Sequence, residues 1–143
     1  MTSTGVPVFD KTLQETQVWL DMLMEQTGIE DRHTAYAVLR ATLHALRDRI
    51  GPENAVHYGA QLPILLRGVY YEGWRMTTPP SKERHIDDFI GHVLRELVPG
   101  LVEDPREAIW AALGVARDMV DPGEAAKLAN LLPAELREFW HLG

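Results

Sequence analysis

The sequence contains an internal repeat, which emerges when the chain is aligned with itself at an offset of 70 residues. Between positions 41 and 73 the alignment has no gap, and 11 of its 33 positions are identical. Ordinary composition would give about two or three identities. The matching pairs are Ala41 and Ala111, Leu43 and Leu113, Arg47-Asp48 and Arg117-Asp118, Pro52 and Pro122, Ala55 and Ala125, Leu62-Pro63 and Leu132-Pro133, Leu66-Arg67 and Leu136-Arg137, and Gly73 and Gly143. We therefore expect two copies of one folding unit.

The repeat divides the chain into a first unit at residues 10–73, a linker at 74–82 and a second unit at 83–143, which ends at Gly143, the counterpart of Gly73. The linker contains Pro79-Pro80, which cannot continue a helix. Units of this size rarely bury enough apolar surface alone, so we expect the two to pack around a pseudo-twofold axis as a single domain.

Each unit is predicted to contain four helical segments. In the first unit these cover residues 11–26, with Asp10 as N-cap, and residues 32–49, 52–60 and 63–73. In the second unit the first helix is predicted at 83–98, and Asp104 and Asp121 are predicted to cap the next two. No alternating strand pattern is present, so the predicted fold class is all-α, with two pseudo-symmetric tandem helical units packed into one helical bundle.

The second predicted helix is amphipathic, because Tyr36, Leu39, Leu43, Leu46 and Ile50 recur at spacings of three and four residues. This stripe is expected to face the core. On another side of the same helix lie Arg40, His44 and Arg47, which we interpret as a solvated face.

Composition narrows the classes of function. The chain has no cysteine, which excludes thiolate nucleophiles and cysteine-based metal centres and favours a cytoplasmic location. Its net charge of −7 should repel phosphate backbones, so nucleic-acid binding is not expected. The first residues lack a signal-peptide pattern and no run is apolar enough to span a bilayer, so no membrane association is expected.

The end of the first unit resembles a known bacterial family. Residues 61–74 contain Gln-Leu-Pro, then Leu-Arg, then Tyr-Tyr-Glu-Gly-Trp, and they are followed by Arg84, His85, Asp87, Asp88 and Phe89. These motifs are similar to those of the domain-of-unknown-function family numbered 2267. The resemblance covers the chain from about Thr12 onward and implies a helical bacterial cytoplasmic protein with a tandem repeat, without assigned catalytic residues.

The best candidates for contacts with a partner or ligand are Arg67, Tyr71, Glu72 and Trp74, which lie together near the end of the first unit. Clustered aromatic residues can anchor a protein partner. The structural alternative is that Tyr70 and Trp74 pack between the units, since Phe139-Trp140 takes the equivalent place in the second copy. Arg67 and Arg137 are either a pair of anion receptors or a repeated salt bridge, most simply with Asp48 and Asp118.

No catalytic constellation stands out. His85, Asp88 and His92 share one side of a predicted helix, but two turns separate the histidines, so neither a metal nor any other cofactor is expected. The sequence contains no nucleophile elbow and no phosphate-binding glycine loop, so no enzymatic activity is expected.

We therefore interpret the protein as a regulatory or scaffolding module that binds a protein partner or itself. One alternative is a binder of a small apolar or anionic ligand in the cleft between the units, indicated by Trp19, Met22, Met24 and the tyrosines near helix ends. Another is a weak helix-turn-helix that uses the segments at 52–60 and 63–73.

Overall fold

The computed structural model describes residues 3–142, which contain eight α-helices and no strand. The helices are α1 (Pro7–Thr27), α2 (Arg32–Ile50), α3 (Pro52–Gly59), α4 (Ile64–Tyr71), α5 (Ile86–Leu94), α6 (Pro105–Asp118), α7 (Pro122–Leu131) and α8 (Ala134–Leu142). The predicted all-α helical bundle is confirmed. Gly143, the predicted end of the second unit, lies outside the described residues. None of the helices in the described range has the length and apolar character needed to cross a membrane.

Aspartate side chains begin α6 and α7 as the sequence predicts. Asp104 accepts a hydrogen bond of 3.1 Å from the backbone N–H three residues later. Asp121 accepts from the N–H groups two and three residues later, at 3.0 and 3.3 Å. Each bond satisfies an N–H that has no partner inside its own helix, so both predicted N-caps are confirmed.

The start of α1 differs from the prediction. Pro7 occupies the first turn and Val6 is the N-cap, without a side-chain hydrogen bond. Asp10 lies inside the helix and instead accepts hydrogen bonds from the Thr4 N–H and the Ser3 hydroxyl. The helix begins earlier because proline, whose backbone angle suits a first turn, starts it without a polar cap.

Helix α5 is shorter at both ends than the predicted 83–98. Its first N–H, that of Ile86, donates to Glu135 Oε1 of α8 at 2.8 Å. Just before the helix, the Glu83 carbonyl oxygen accepts from Arg49 Nε at 2.8 Å. These tertiary contacts hold residues 83–85 out of the helix.

The core is centred on α2 and α6, which pack against each other. Leu39, Leu43, Leu46 and Ile50 of the predicted stripe are buried, whereas Tyr36 is half-buried. Helix α1 packs on α6 as well as on α2, and α5 packs on α2 as well as on α6. This reciprocal pattern is the one that two units related by a twofold axis would give.

Residues 70 positions apart make the same tertiary hydrogen bonds. Arg67 and Arg137 each donate Nε to the carbonyl oxygen eight residues earlier, at 3.0 and 2.9 Å. Tyr70 and Trp140 each donate a ring O–H or N–H to the carbonyl oxygen fifteen residues earlier, at 2.8 and 3.2 Å. These identical contacts explain why such positions carry the same or similar residues in both copies.

The predicted linker lies against the C-terminal end of α2. The Ser81 N–H donates to the Asp48 carbonyl oxygen at 2.8 Å. The segment from residue 74 to 85 has no helix but is tied to the bundle at both this point and Glu83. It therefore forms one wall of a cavity beside the end of α2.

Candidate functional site

The predicted contact residue Arg67 has a structural role. Its guanidinium donates to the carbonyl oxygens of Gly59, Ala60 and Leu62, at 3.0 to 3.3 Å. These carbonyls belong to the end of α3 and the turn after it, where no intrahelical donor is available. The hypothesis of a salt bridge between Arg67 and Asp48 is wrong, because Asp48 pairs with Arg47 and Arg67 Nε and Nη2 donate to backbone oxygens. The hypothesis of an anion receptor stays a prediction.

The aromatic cluster divides into a buried and a half-exposed part. Tyr70 is fully buried and bonds the Ala55 carbonyl oxygen within its own unit. Tyr71 and Trp74 are half-buried and stack on each other, with ring centroids 5.5 Å apart and planes 28° apart. Tyr70 is therefore a core residue, whereas Trp74 packs against the edge of the core and stacks on Tyr71. That the two pack between the units stays a prediction.

Glu72 is exposed and forms an ion pair with Arg40 of α2. The hydrogen bond from Arg40 is the main cause that lowers the pKa of the Glu72 carboxyl below its ordinary value. Arg40 also lies 3.4 Å from Glu96, just beyond the end of α5. Glu72 thus joins the end of α4 to α2, in a charged form unsuited to donating a proton.

The interpretation of Arg40, His44 and Arg47 as a solvated face is wrong, because only 2% of His44 and 6% of Arg47 are exposed. Helix α5 and the end of α4 cover this side of α2. His44 donates from Nε2 to the Val69 carbonyl oxygen at 2.7 Å, and its Nδ1 lies 2.9 Å from Glu96. The charged side chains therefore hold helices together.

Arg47 and Asp48 form the centre of this polar network. Arg47 donates Nε to Asp48 Oδ1 at 2.9 Å and Nη1 to the carbonyl oxygens of Tyr70 and Glu72 at 2.9 and 3.0 Å. The second carboxylate oxygen, Asp48 Oδ2, lies 3.2 Å from His92 Nε2. Asp48 is therefore shared between a residue of its own helix and one of α5.

His92 is held between two carboxylates. Its Nε2 faces Asp48 and its Nδ1 faces Glu83, so only the doubly protonated ring donates both hydrogen bonds. The bond to Asp48 is the main cause that raises the pKa of His92, against the opposing effect of burial. Burial would raise the pKa values of Asp48 and Glu83, but their hydrogen bonds outweigh it and lower both.

A cavity of about 270 Å³ opens beside this network. The end of α2, the start of α3, the segment at 73–81 and His92 of α5 form its walls. Its charged lining residues are Arg47, Arg75, Asp48 and His92, and its apolar walls are formed by Trp74 and three prolines. It therefore combines a rigid apolar surface with a surplus of positive charge.

A second concave surface, called here the α1–α4 groove, has a volume of about 400 Å³. It lies between the first half of α1 and the start of α4, where the Leu65 N–H donates to Thr12 Oγ1 at 2.8 Å. Val8, Val18 and Ile64 line it with exposed apolar side chains, and Met119 of the second unit also lines it.

One comparison with known proteins gives a match. A family model described as an uncharacterized conserved protein, DUF2267, matches residues 16–139. The chain belongs to DUF2267. This confirms the resemblance inferred from the Gln-Leu-Pro and Tyr-Tyr-Glu-Gly-Trp motifs. A search of curated proteins found no match to this DUF2267 chain.

The two copies within this DUF2267 protein build equivalent helix contacts from different residues. The α2–α5 contact carries charged side chains, whereas the corresponding positions of α6 and α1 are largely uncharged. The counterparts are Trp110 for Arg40, Gly114 for His44, Met22 for His92 and Gln26 for Glu96. Since a neutral version of the contact supports the same packing, the shared fold does not require these charges.

The side chains of His85 and His92, which share one side of a predicted helix with Asp88, have separate partners. His85 lies 3.2 Å from Glu135, whereas His92 lies between Glu83 and Asp48. Within residues 3–142 no group of three histidine or acidic residues has an arrangement suited to a metal ion.

Sequence analysis missed Arg47 and His92 as residues of a concave site. Arg47 shares helical spacing with Arg40 and His44, which is typical of a solvated face, and His92 shares it with His85 and Asp88, which suggests only metal ligands. The sequence signal for this site is a difference between the two copies: His92 in the second copy takes the place of Met22 in the first.

Proposed function

We propose that this DUF2267 protein is a non-enzymatic interaction module that binds an amphipathic helix of a protein partner in the α1–α4 groove. The observation that carries the proposal is the exposure of large apolar side chains there, at positions where the second copy has small or charged ones. Ile64 is 57% and Val18 is 48% exposed. Their counterparts are Ala134 and Asp88.

The exposed apolar residues are not needed for packing within the bundle. Helix α5, the counterpart of α1, packs on its neighbours with Asp88 at the position of Val18. Helix α8 likewise begins with Ala134 at the position of Ile64. A contiguous exposed apolar surface without a packing role is typical of a protein-binding surface.

The shape and charge of the groove suit a helix. Val8 and Val18 lie on α1 and Ile64 lies on α4, so an apolar stripe of a partner helix can pack between the two helices. Lys11 and Glu15 lie at the same groove and provide both signs of charge. Apolar contacts in the middle with charges beside them are the usual arrangement of a protein interface.

The alternatives considered from the sequence have less support. At the place that the sequence indicates for a small ligand, Trp19 is only 1% exposed in the wall of the α1–α4 groove, and Met22 and Met24 pack against the core, so these three residues form no open site. The helix-turn-helix alternative would use α3 and α4, but Arg67, the basic residue of α4, already donates to backbone carbonyls. Both observations favour the interaction module.

The test is size-exclusion chromatography with light scattering, with the protein alone over a range of concentrations and after incubation with lysate of its native host. The test variant is Val18→Asp combined with Ile64→Ala, which installs the residues of the second copy and is expected to fold. The control is Val98→Asp, because Val98 is 70% exposed and lies away from the groove.

We expect the wild type and the Val98→Asp control to form a defined complex with a protein partner, and the double variant to lose it. A mass that rises with concentration and falls in the double variant would identify the partner as a second copy. A complex that survives in the double variant, or no complex and no self-association at all, would contradict the proposal.

A further inference from the structure

The Arg47-Asp48 pair beside the cavity makes one hydrogen bond fewer than its counterpart in the second copy. The equivalent hollow, of about 310 Å³, is lined by Arg117 and Asp118. There Arg117 uses Nε and Nη2 to bind both oxygens of Asp118, at 2.7 and 2.9 Å. This is the two-point pairing that arginine and carboxylate groups favour.

In the first copy, Arg47 binds Asp48 through Nε alone. Its Nη1 is occupied by two carbonyl oxygens, while Nη2 has no hydrogen-bond partner among the described residues. Because 94% of Arg47 is buried and the residue lines the cavity, this unused end of the guanidinium is reached from the cavity. A charged donor that faces a cavity without a protein partner favours an anionic acceptor there, because hydrogen bonds between charged groups are stronger than those between neutral groups.

His92 is the cause of this difference. Its Nε2 lies 3.2 Å from Asp48 Oδ2, the oxygen whose counterpart in Asp118 accepts from Arg117 Nη2. The counterpart of His92 is Met22, which offers Asp118 no hydrogen-bond donor. His92 therefore turns Asp48 away from Arg47 Nη2 and leaves that nitrogen available.

We propose that the cavity is a binding site for a small organic monocarboxylate with an apolar body, in which Arg47 Nη2 binds the carboxylate. Arg47, Arg75 and the protonated His92 carry three positive charges and their partners Asp48 and Glu83 carry two negative ones, so the remaining charge suits one negative charge rather than two. Trp74, Pro79 and Pro80 provide an apolar wall for the body of the ligand. A volume of about 270 Å³ limits the ligand to a small molecule.

In this proposal His92 is a positioning residue: it lines the cavity, but both of its ring nitrogens face carboxylates, so it acts on the carboxylate of the ligand through Asp48 and Arg47. Arg75 also lines the cavity and adds positive charge. The site does not depend on the α1–α4 groove, which uses other residues.

The test is isothermal titration calorimetry on the full chain in a low-chloride buffer, with benzoate as the probe. Benzamide serves as its uncharged analogue, acetate as a carboxylate without an apolar body, and inorganic phosphate as an anion of higher charge. The variants are Arg47→Met, His92→Met and, as the matched control, Arg117→Met, which removes the equivalent carbonyl contacts but leaves the cavity intact. Circular dichroism verifies that each variant is folded.

We expect benzoate to bind the wild type and the Arg117→Met control with equal affinity, and benzamide and acetate to bind at least tenfold more weakly. Arg47→Met should lower the affinity for benzoate by about tenfold or more, which is the effect of one charge-assisted hydrogen bond. His92→Met should also lower the affinity for benzoate by about tenfold or more while the protein stays folded, because Asp48 can then bind Arg47 through both carboxylate oxygens and occupy Nη2. Should Arg47→Met fail to fold, the His92→Met variant and the comparison of benzoate with benzamide decide the outcome.

Absence of benzoate binding to the wild type would overturn the proposal. So would equal binding of benzamide, tighter binding of phosphate than of benzoate, or unchanged benzoate affinity in His92→Met.

Discussion

At the scale of single residues, His92 connects pH to stability. Its pKa is raised above the ordinary value of 6.5, so its stabilising contribution is complete below that pH and is lost as the pH rises through the folded-state pKa. Asp48 and Glu83 have lowered pKa values, so their contributions are present above their ordinary values of 3.8 and 4.5 and are lost as the pH falls. All three contribute together between pH 4.5 and 6.5.

We therefore predict that His92→Gln destabilises the protein more at pH 6 than at pH 9. Urea unfolding of the wild type and the variant at both values measures the difference in the free energy of unfolding. An equal difference at both values would mean that the charge on His92 does not stabilise the contact between α5 and α2.

Arg67 and Arg137 show what repeated residues do in this fold. Both donate to carbonyl oxygens at the end of a short helix and in the turn after it. We predict that Arg67→Met and Arg137→Met each lower the free energy of unfolding by roughly 1–3 kcal/mol, since half-buried carbonyl oxygens lose a charged donor. Lysine should not restore the loss, because it lacks the planar fork that reaches several oxygens at once. Urea titrations measure these values, and a loss below about 0.5 kcal/mol in both variants would show that water replaces the guanidinium.

At the scale of helices, the aspartate caps allow a direct comparison. We predict that Asp104→Ala lowers the free energy of unfolding by about 1 kcal/mol, because it removes the side-chain acceptor at the start of α6. Asp10→Ala should have a smaller effect, since Asp10 lies within α1 and contacts only the exposed segment before it. Thermal and urea unfolding measure both variants, and an equal or larger effect of Asp10→Ala would support the N-cap originally predicted from the sequence.

The sequence predicts helix ends that are set by neighbouring residues, but not those that are set by contacts with residues far away in the chain. Gly28 ends α1 with a left-handed backbone angle of φ 76°, and Asp104 and Asp121 begin helices through their nearest N–H groups. The start of α5 is instead set by Glu135, which is 49 residues away in the chain. No local pattern contains that contact.

The polar side of α2 was misinterpreted for a similar reason. Charged residues at helical spacing are typical of a solvated face, and nothing near Arg40 or His44 in the sequence indicates that α5 covers them. The carboxylate of Glu96 that meets them is 52 residues beyond His44. The candidate cavity, which depends on the same packing, could therefore not be predicted from either helix alone.

At the scale of the whole molecule, both candidate surfaces require both units. The α1–α4 groove is lined by residues of the first unit together with Met119, and the cavity is lined by α2, the linker and His92. The contact of α2 with α6 forms the centre of the core. Both surfaces therefore depend on the two units forming one cooperative structure, as the repeat predicts.

Leu113→Ala provides a test of this dependence. Leu113 is buried in α6, so its truncation should lower the free energy of unfolding by about 2–5 kcal/mol. If the core is shared, hydrogen exchange measured by NMR should accelerate by the same factor for the slowest amides of α2 and of α6. Acceleration confined to the second unit would show that the units open separately.

The most direct measurement of the central claim is differential scanning calorimetry of the full chain. If the two units share one core, the protein should unfold in a single transition whose calorimetric enthalpy equals the van't Hoff enthalpy. Two resolved transitions, or a calorimetric enthalpy well above the van't Hoff value, would mean that the units unfold independently, which would contradict the shared core.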